Sequence, residues 1–462
     1  MSEWNRGYPT DSVYIDAIQP AISPWRWQQA LRFAGRDGPD PTAPFRFLEL
    51  GCGTATTLIA LAAAYPQGRF SGYDFMPEPV HMAREIITQA GLPNVAVIEA
   101  SFDEMAAAAP EAPYDYAFAH GVWSWVPEAV RAELVSVLGR WLAPGALVYM
   151  GYNTAAGWSA SEPIRQIFRL TPQGPPHDRF GPARAAVTAW LERSGDRQPM
   201  VRNHWATMRD SSDGFIAHEL GNPHGTGLWM EDVAAALDGA KLRYAGPSVL
   251  AEHLDAPFLA EEDMALLRHA DADGWVETAR DLLHGRYFRK DLYHRGAPAM
   301  GFAAMMGAMR ALRVIPWDME VRMATHMGVW RRQRQHLPDD LADRIRGLAS
   351  EGGSFGAVME GLEAEVGMPE AQAFQIALLA LISGHLLDIR SDTEIAAAQA
   401  GCDRLNAVLL ERGRYGQLAG LVSPVTGTCL QFPEDTHREA LAGRGNAPAL
   451  FERLERLGIA FG

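Results

Sequence analysis

The chemical potential of this 462-residue chain is most concentrated in Phe47-Leu48-Glu49-Leu50-Gly51-Cys52-Gly53-Thr54-Ala55-Thr56, where an apolar run carrying a carboxylate breaks into a glycine turn. Gly51 and Gly53 lack a Cβ, so backbone there can approach a ligand closely at the carboxyl end of a strand. A dinucleotide site would want a third glycine further on, close to a pyrophosphate. Here Ala55 and Thr56 follow, and Glu49 precedes the first glycine. That pattern suits a ligand without a pyrophosphate that bears a charged amino-acid portion. Cys52, inside the same turn, reads most simply as a small packing residue. A second carboxylate, Asp74, stands 23 residues after Gly51 in Gly72-Tyr73-Asp74. Placed at the end of the next strand, it can accept both hydroxyl hydrogens of a ribose cis-diol. Phe75 and Met76 would then flank an adenine, and Ser101 with Phe102, after Glu99, would meet its edge.

Two further runs end in aromatic and hydrogen-bonding residues. Tyr114–His120 leads into Gly121-Val122-Trp123-Ser124-Trp125-Val126-Pro127, and Ala146–Tyr152 into Asn153-Thr154-Ala155-Ala156-Gly157-Trp158. His120 in such a place serves either in catalysis or as a loop cap, and the Trp side chains serve as a channel lining or as ordinary lids.

Bringing these groups to one edge requires a parallel sheet with crossover helices. Strand candidates are Phe45–Leu50, Arg69–Asp74, Val95–Glu99, Tyr114–His120 and Ala146–Tyr152, with helical periodicity over Thr56–Ala64, Pro77–Ala90 and Val126–Trp141. Residues 154–210 read as helices and loops. Strand-like runs return at Gly214–Glu219 and Lys241–Pro247, around a helix at Met230–Leu237, as a unit that closes the sheet. From Leu254 the pattern is mostly helical: Glu261–Ala270, Trp275–Arg286, Ala297–Leu312, Pro338–Ser350, Pro369–Ile389 and Thr393–Glu411. Gly420–Pro433 reads as a loop before a last helix, Ala447–Leu457. The expected organisation is an α/β domain over 1–250 with a helical insertion at 154–210, a helical middle region over 251–330, and a mostly helical C-terminal domain over 331–462. Such helical regions serve as scaffolding, as substrate-docking surfaces or as the faces of a homodimer.

Composition narrows the function classes. With 41 basic against 56 acidic residues, the formal charge of −15 argues against broad nucleic-acid binding, which needs a basic phosphate-facing surface. Only Lys241 and Lys290 are lysines; the other basic residues are Arg, as a GC-rich coding bias would give. The run Arg331-Arg332-Gln333-Arg334 reads as a solvated helix face. The N-terminal residues MSEWNRGYPT hold no apolar signal segment, and the longest apolar stretch, Ile376–Leu387, is too short for a bilayer. Three scattered cysteines make neither a disulfide framework nor a zinc site. A cytoplasmic protein without a bound metal or a membrane span is expected.

The glycine turn with Asp74 at its spacing resembles the class I S-adenosylmethionine-dependent methyltransferases. The Asn-Pro-Pro-Tyr motif of relatives that modify nucleobase amino groups is missing after the fourth strand. The later loops resemble a narrower family, bacterial methyltransferases with a methyltransferase regulatory domain, among them rickettsial-type protein lysine methyltransferases. Their pattern is roughly His-Gly-Val-Tyr-Ser-Trp-Val-Pro, then Ser-Tyr-Asn-x-x-Pro-Gly-Trp. The counterparts here run from His120 to Pro127 and from Gly151 to Trp158. Gly7-Tyr8-Pro9-Thr10-Asp11, Ser23-Pro24, His218-Glu219-Leu220, and Glu277-Thr278-Ala279-Arg280-Asp281 with Phe288-Arg289 also match, whereas Trp123, Ala156 and Ile18-Gln19 depart.

The resemblance implies a Rossmann-like seven-stranded sheet and S-adenosyl-L-methionine as cofactor. Glu49, Gly51, Cys52, Gly53, Asp74, Phe75, Met76, Ser101, Phe102 and His120 are the expected cofactor-binding residues. It also implies methyl transfer to lysine side chains of a protein or peptide. His120, Tyr152 and Trp125 are the catalytic candidates, with Trp123, Trp125 and Tyr152 lining the acceptor channel. A small-molecule O- or N-methyltransferase of a biosynthetic pathway is the alternative, and an idle cofactor-sensing module the third reading.

Overall fold

The structure, a computed structural model, describes residues 18–174, 178–255, 259–317, 337–414, 420–430 and 448–459. Gly7–Asp11 and the Arg331–Arg334 run lie outside them.

The first strands are β1 (Phe45–Leu50), β2 (Gly68–Asp74), β3 (Val95–Glu99), β4 (Tyr114–His120) and β5 (Leu142–Asn153). β6 (Arg243–Pro247) and β7 (Phe288–His294) complete a seven-stranded sheet ordered β3-β2-β1-β4-β5-β7-β6. The five leading strands run parallel, and β7 is antiparallel to both β5 and β6. The strand order reverses between β1 and β4, the crevice where open α/β sheets bind ligands beyond the strand carboxyl ends.

Because both faces of the sheet are covered, β1 alternates between two cores rather than between core and water. Phe45 and Phe47 join Phe70, Tyr116, Phe118 and Tyr149 on one face, where Trp27 stacks on Phe47 and Tyr149 with ring centres 5.5 Å away in each case. That face is covered by α1 (Pro24–Phe33), α2 (Thr56–Ala64) and α3 (Pro77–Ala90). Leu48 and Leu50 face the other core, with α4 (Phe102–Ala107), α5 (Glu128–Trp141) and, later, a helix at Met230–Asp238.

The insertion forms α6 (Ala155–Trp158), α7 (Glu162–Leu170), α8 (Gly181–Ser194), α9 (Pro199–Met208) and α10 (Asp213–Glu219) around its own small core of Ile164, Phe168, Val187, Trp205 and Ile216. The expected strand at Gly214–Glu219 is therefore a helix. Ser212 caps it, its hydroxyl accepting from the Phe215 N–H, and the Ser-Asp start is a helix signal that outweighs apolar alternation.

The seventh strand comes instead from Phe288–His294, inside the span expected to be a helical middle region. A boundary at 250 falls between β6 and β7, and the sheet continues to His294. Arg289-Lys290-Asp291 in its centre breaks the apolar pattern by which a strand is recognised.

Beyond the sheet, the Arg313–Pro316 and Leu386–Ile389 strands pair antiparallel beside helices Asp339–Gly352, Phe355–Val366 and Glu370–Ser383. The expected helix over Pro369–Ile389 stops at Gly384, left-handed with φ 83°, and continues as a strand. Within Gly420–Pro433, expected to be a loop, Leu421–Ser423 pairs with Thr428–Leu430 as a hairpin; residues after 430 lie outside the description. The long helix Asp392–Gly413 returns to pack on α2 and α3. All nine residues of α2 are buried, which explains why its sequence, TTLIALAAA, is apolar all round.

Candidate active site

At the end of β1, Gly51 (φ 70°), Gly53 (φ 50°) and Ala55 (φ 52°) are left-handed. The Gly51 and Cys52 N–H groups donate to the Tyr73 carbonyl at 2.8 and 3.0 Å, pulling the turn onto the end of β2. A Cβ on Gly51 would lie 2.6 Å from Val122 Cγ2, whereas one on Gly53 would meet nothing within 4 Å. Gly51 is thus required by packing, and Gly53 faces open space. Ala55 holds its strained conformation at a cost of about 1–3 kcal/mol.

Asp74 anchors the turn. Its Oδ2 accepts the Gly53 N–H at 2.7 Å, and its Oδ1 accepts the Met76 N–H at 2.9 Å. Glu49 is buried beside it, and Glu49 Oε2 has no hydrogen-bond partner among the described residues. Burial pushes the Glu49 carboxyl well above its ordinary range, and the Asp74 charge adds to that shift. Burial raises Asp74 as well, against the N–H groups that favour its ionised form. Two desolvated carboxylates beside a glycine turn form a receptor for a cation and for hydroxyl donors. That is the chemistry of an amino-acid ammonium and a ribose.

The other expected ligand residues divide. Pairing of β2 with β3 sets Asp74 opposite Glu99, so the segments with Phe75 and Met76 and with Ser101 and Phe102 leave from adjacent strand ends. Ser101 caps α4, donating from both its N–H and its hydroxyl to Glu104 Oε2 at 2.8 Å. Cys52 is buried with Sγ and Cβ against Gly72, so it packs the turn.

His120 ends β4. Its Nδ1 lies 2.8 Å from the Tyr149 hydroxyl, and its ring packs on Tyr149 and, 5.0 Å between centres, on Phe288 of β7. Gly151, whose Cβ would clash with His120 and Phe288 at 2.9 Å, makes room for that packing.

The aromatic residues do not line one channel as the sequence predicts. Trp123 is buried among Leu134, Val137 and Leu138 in the core. Tyr152 is fully buried, and its hydroxyl donates to Asp291 Oδ2 at 2.6 Å. Asp291 belongs to a buried ion network: Arg289 also binds Asp281 and Glu277, and Arg286 binds Asp281 and Glu252. The Glu277–Asp281 and Phe288-Arg289 motifs therefore position β7 beside β5.

Trp125 turns toward the insertion. It meets Trp158 edge-on at 5.5 Å, and Trp158 packs on Tyr287 at 5.0 Å. His204 and Ser161 complete this cluster, with Ser161 Oγ 2.7 Å from His204 Nε2. Arg165 is buried beside Trp125, its Nη2 donating to the Asn222 carbonyl at 2.7 Å. His218 and Glu219, at the end of α10, are buried behind them. Ser161, Arg165, His204 and Tyr287 were not legible as site residues, because only the fold joins the insertion to the segment before β7. No His/Cys/Asp/Glu group among the described residues is arranged to hold a metal, and no helix there is long and apolar enough to cross a membrane.

Residues 47–145 match the family model described as "Methyltransferase domain", and residues 212–295 the one described as "Predicted methyltransferase regulatory domain". An uncharacterized protein of Synechocystis is 26% identical over 323 residues, 68% of this chain, and the match spans 63% of that relative's length. The trans-aconitate 2-methyltransferase of Methylobacterium nodulans is 32% identical over 163 residues, 33% of this chain and 58% of its own. PKMT2 from Rickettsia typhi in complex with AdoHcy shares the fold at a TM-score of 0.62 and 19% identity, over 81% of this chain and 77% of that one.

Proposed function

We propose that this chain, with its two matched domains, is a class I S-adenosylmethionine-dependent methyltransferase with a methyltransferase regulatory domain, whose methyl acceptors are lysine side chains of a protein. The observation that carries the cofactor reading is the buried Glu49–Asp74 pair beside the open face of Gly53. Asp74 accepts from the backbone N–H groups of Gly53, Met76 and Phe75, and its remaining lone pairs suit ribose hydroxyls. Glu49 Oε2 suits the ammonium of the amino-acid end. When bound, S-adenosyl-L-methionine supplies a methyl group on a positively charged sulfur.

The protein's remaining task is to present a neutral nitrogen in line with that methyl. A lysine ammonium, with a pKa of about 10.4 in water, must lose a proton first. Desolvation between aromatic faces lowers that pKa, so a strong base is not obligatory. In this reading His120, fixed through Nδ1 by Tyr149, orients the amine, and Trp125 walls the approach. Tyr152 acts indirectly, holding β5 to the β7 ion network. The fold shared with Rickettsia typhi PKMT2 supports a protein acceptor.

A small-molecule acceptor is the second reading. Arg165 favours it: buried beside Trp125, with Nε lacking a hydrogen-bond partner among the described residues, it would suit a carboxylate. The trans-aconitate 2-methyltransferase match points the same way. Incubation with radiolabelled S-adenosylmethionine and a lysate fractionated into protein, nucleic acid and small molecules tests the assignment. Label on protein lysines upholds the first reading; label confined to small molecules replaces it with the second.

A further inference from the structure

We propose that Trp125, Trp158 and Tyr287 form the sleeve that receives the acceptor lysine, and that Ser161 and His204 are positioning residues that orient the Tyr287 hydroxyl toward the acceptor nitrogen; this rests on the lysine reading above. With Trp123 and Tyr152 committed to the core, another set of aromatic side chains must wall the acceptor, and one leads away from the glycine turn without a gap. A Cβ on Gly51 would touch Val122, and one on Gly121 would lie 3.8 Å from the Trp125 indole nitrogen. Trp125 contacts Trp158, Trp158 contacts Tyr287, and the Tyr287 ring lies 5.5 Å from that of His204. Trp125 and Trp158 are buried, while Tyr287 and His204 are half-buried, so the cluster opens at its Tyr287–His204 end. Its polar members come from the start of α7 (Ser161), from α9 (His204) and from the segment before β7 (Tyr287), and Tyr287 falls within the span that matches the regulatory-domain model.

Three groups converge there. His204 Nε2 is 2.7 Å from Ser161 Oγ and 3.5 Å from the Tyr287 hydroxyl. Burial pushes the His204 pKa down to about 4, so at neutral pH the ring is uncharged and offers one acceptor nitrogen. Burial, with Glu219 nearby, keeps the Tyr287 phenol protonated. The one lone pair of Nε2 takes the Ser161 hydroxyl hydrogen, the Tyr287 hydroxyl can in turn donate to Ser161 Oγ, and the phenol oxygen's lone pairs then turn outward. An N–H of the neutral amine can then donate to Tyr287 while the indole faces shield its alkyl chain from water. Glu219 offsets the charge of Arg165 at the cluster's edge.

The test is calorimetric binding of an S-adenosylhomocysteine analogue whose sulfur is replaced by a nitrogen bearing a (butylamino)ethyl arm, a mimic of the lysine nitrogen and side chain. The control analogue has an ether oxygen in place of the arm's amine. Wild-type protein is expected to prefer the amine arm at least tenfold. Tyr287→Phe and Trp158→Ala should abolish the preference, and His204→Ala should reduce it severalfold, with recovery in His204→Gln, whose amide oxygen can accept. S-adenosylhomocysteine itself should bind all variants as it binds the wild type, which also reports that they fold. Normal S-adenosylhomocysteine binding with no amine preference, or with one unchanged in Tyr287→Phe, overturns the sleeve. Absence of S-adenosylhomocysteine binding by the wild type overturns the methyltransferase reading itself.

Discussion

Arg390, fully buried, donates from Nη1 to the carbonyl of Ala64 at 2.8 Å, so the C-terminal region caps the last turn of the helix that the glycine turn leads into. The guanidinium also lies 4.5 Å from the Tyr65 ring centre and pairs with Glu394. A cation at a helix C-terminus opposes the negative end of its dipole.

Replacing Arg390 with Ala leaves the Ala64 and Pro424 carbonyls and Glu394 short of a buried partner. The expected cost is about 3–5 kcal/mol, seen as a lower urea midpoint, with weaker S-adenosylhomocysteine binding if α2 shifts. An unchanged midpoint would show that the contact adds nothing to stability.

Asp74→Asn removes the charge that faces the ribose hydroxyls and holds Gly53. S-adenosylhomocysteine affinity should fall by at least tenfold, about 1.4 kcal/mol, in a calorimetric titration. Asp103→Asn, on the neighbouring helix, is the comparison and should bind normally.

The Glu49 carboxyl is raised in the folded protein, so its contribution to stability is complete below its ordinary value of 4.5 and is lost as pH rises through the raised one. Ligand-free protein should therefore lose thermal stability as pH climbs above 4.5, and Glu49→Gln should flatten that slope. A parallel slope in the variant would assign it to another group.

Glu277 has the opposite sign. Although burial alone would raise it, the Arg289 and Arg280 guanidiniums hold it down to about 2. Its contribution, on the order of 3 kcal/mol, is present above its ordinary value and is lost as pH falls toward 2. Glu277→Gln should lose stability at neutral pH and show a shallower acid transition.

Two neighbouring tryptophans should behave differently. Trp123→Ala empties core volume and should cost about 3–5 kcal/mol in unfolding experiments. Trp125→Ala should instead lower turnover while S-adenosylhomocysteine binds normally, and His120→Ala should lower turnover as well. If both left turnover unchanged, neither residue would belong to the acceptor side.

The ligand half of the site was legible because it is local. Glu49, Gly51 and Gly53 share one turn, and Asp74 needs only the next strand to reach them. β1 to β5 announced themselves as apolar runs between glycine turns and helical periods. The seventh strand hid because its charges are satisfied by partners the fold supplies: Arg289 pairs with Asp281 and Glu277 as well as with Asp291, and Asp291 accepts from the Tyr152 hydroxyl. The proposed acceptor sleeve hid for a related reason: His204 and Tyr287 are 83 residues apart, and neither lies in a motif that implies the other. Tyr152 belongs to the acceptor channel only by resemblance; the pleat of β5 turns its side chain into the core, a direction that the motif around it does not encode.

The burial of α2 on every side bears on how the chain is made. Its inner face waits only for the neighbouring strands, but its outer face is covered by Asp392–Gly413, more than three hundred residues downstream. During synthesis the ligand-site helix therefore emerges long before its cover, and β7 joins the sheet only after the insertion has been made. A nascent chain paused before residue 392 would carry an apolar helix open to water, a target for chaperones and for self-association. Truncation after the sheet domain should accordingly yield aggregates rather than a smaller enzyme.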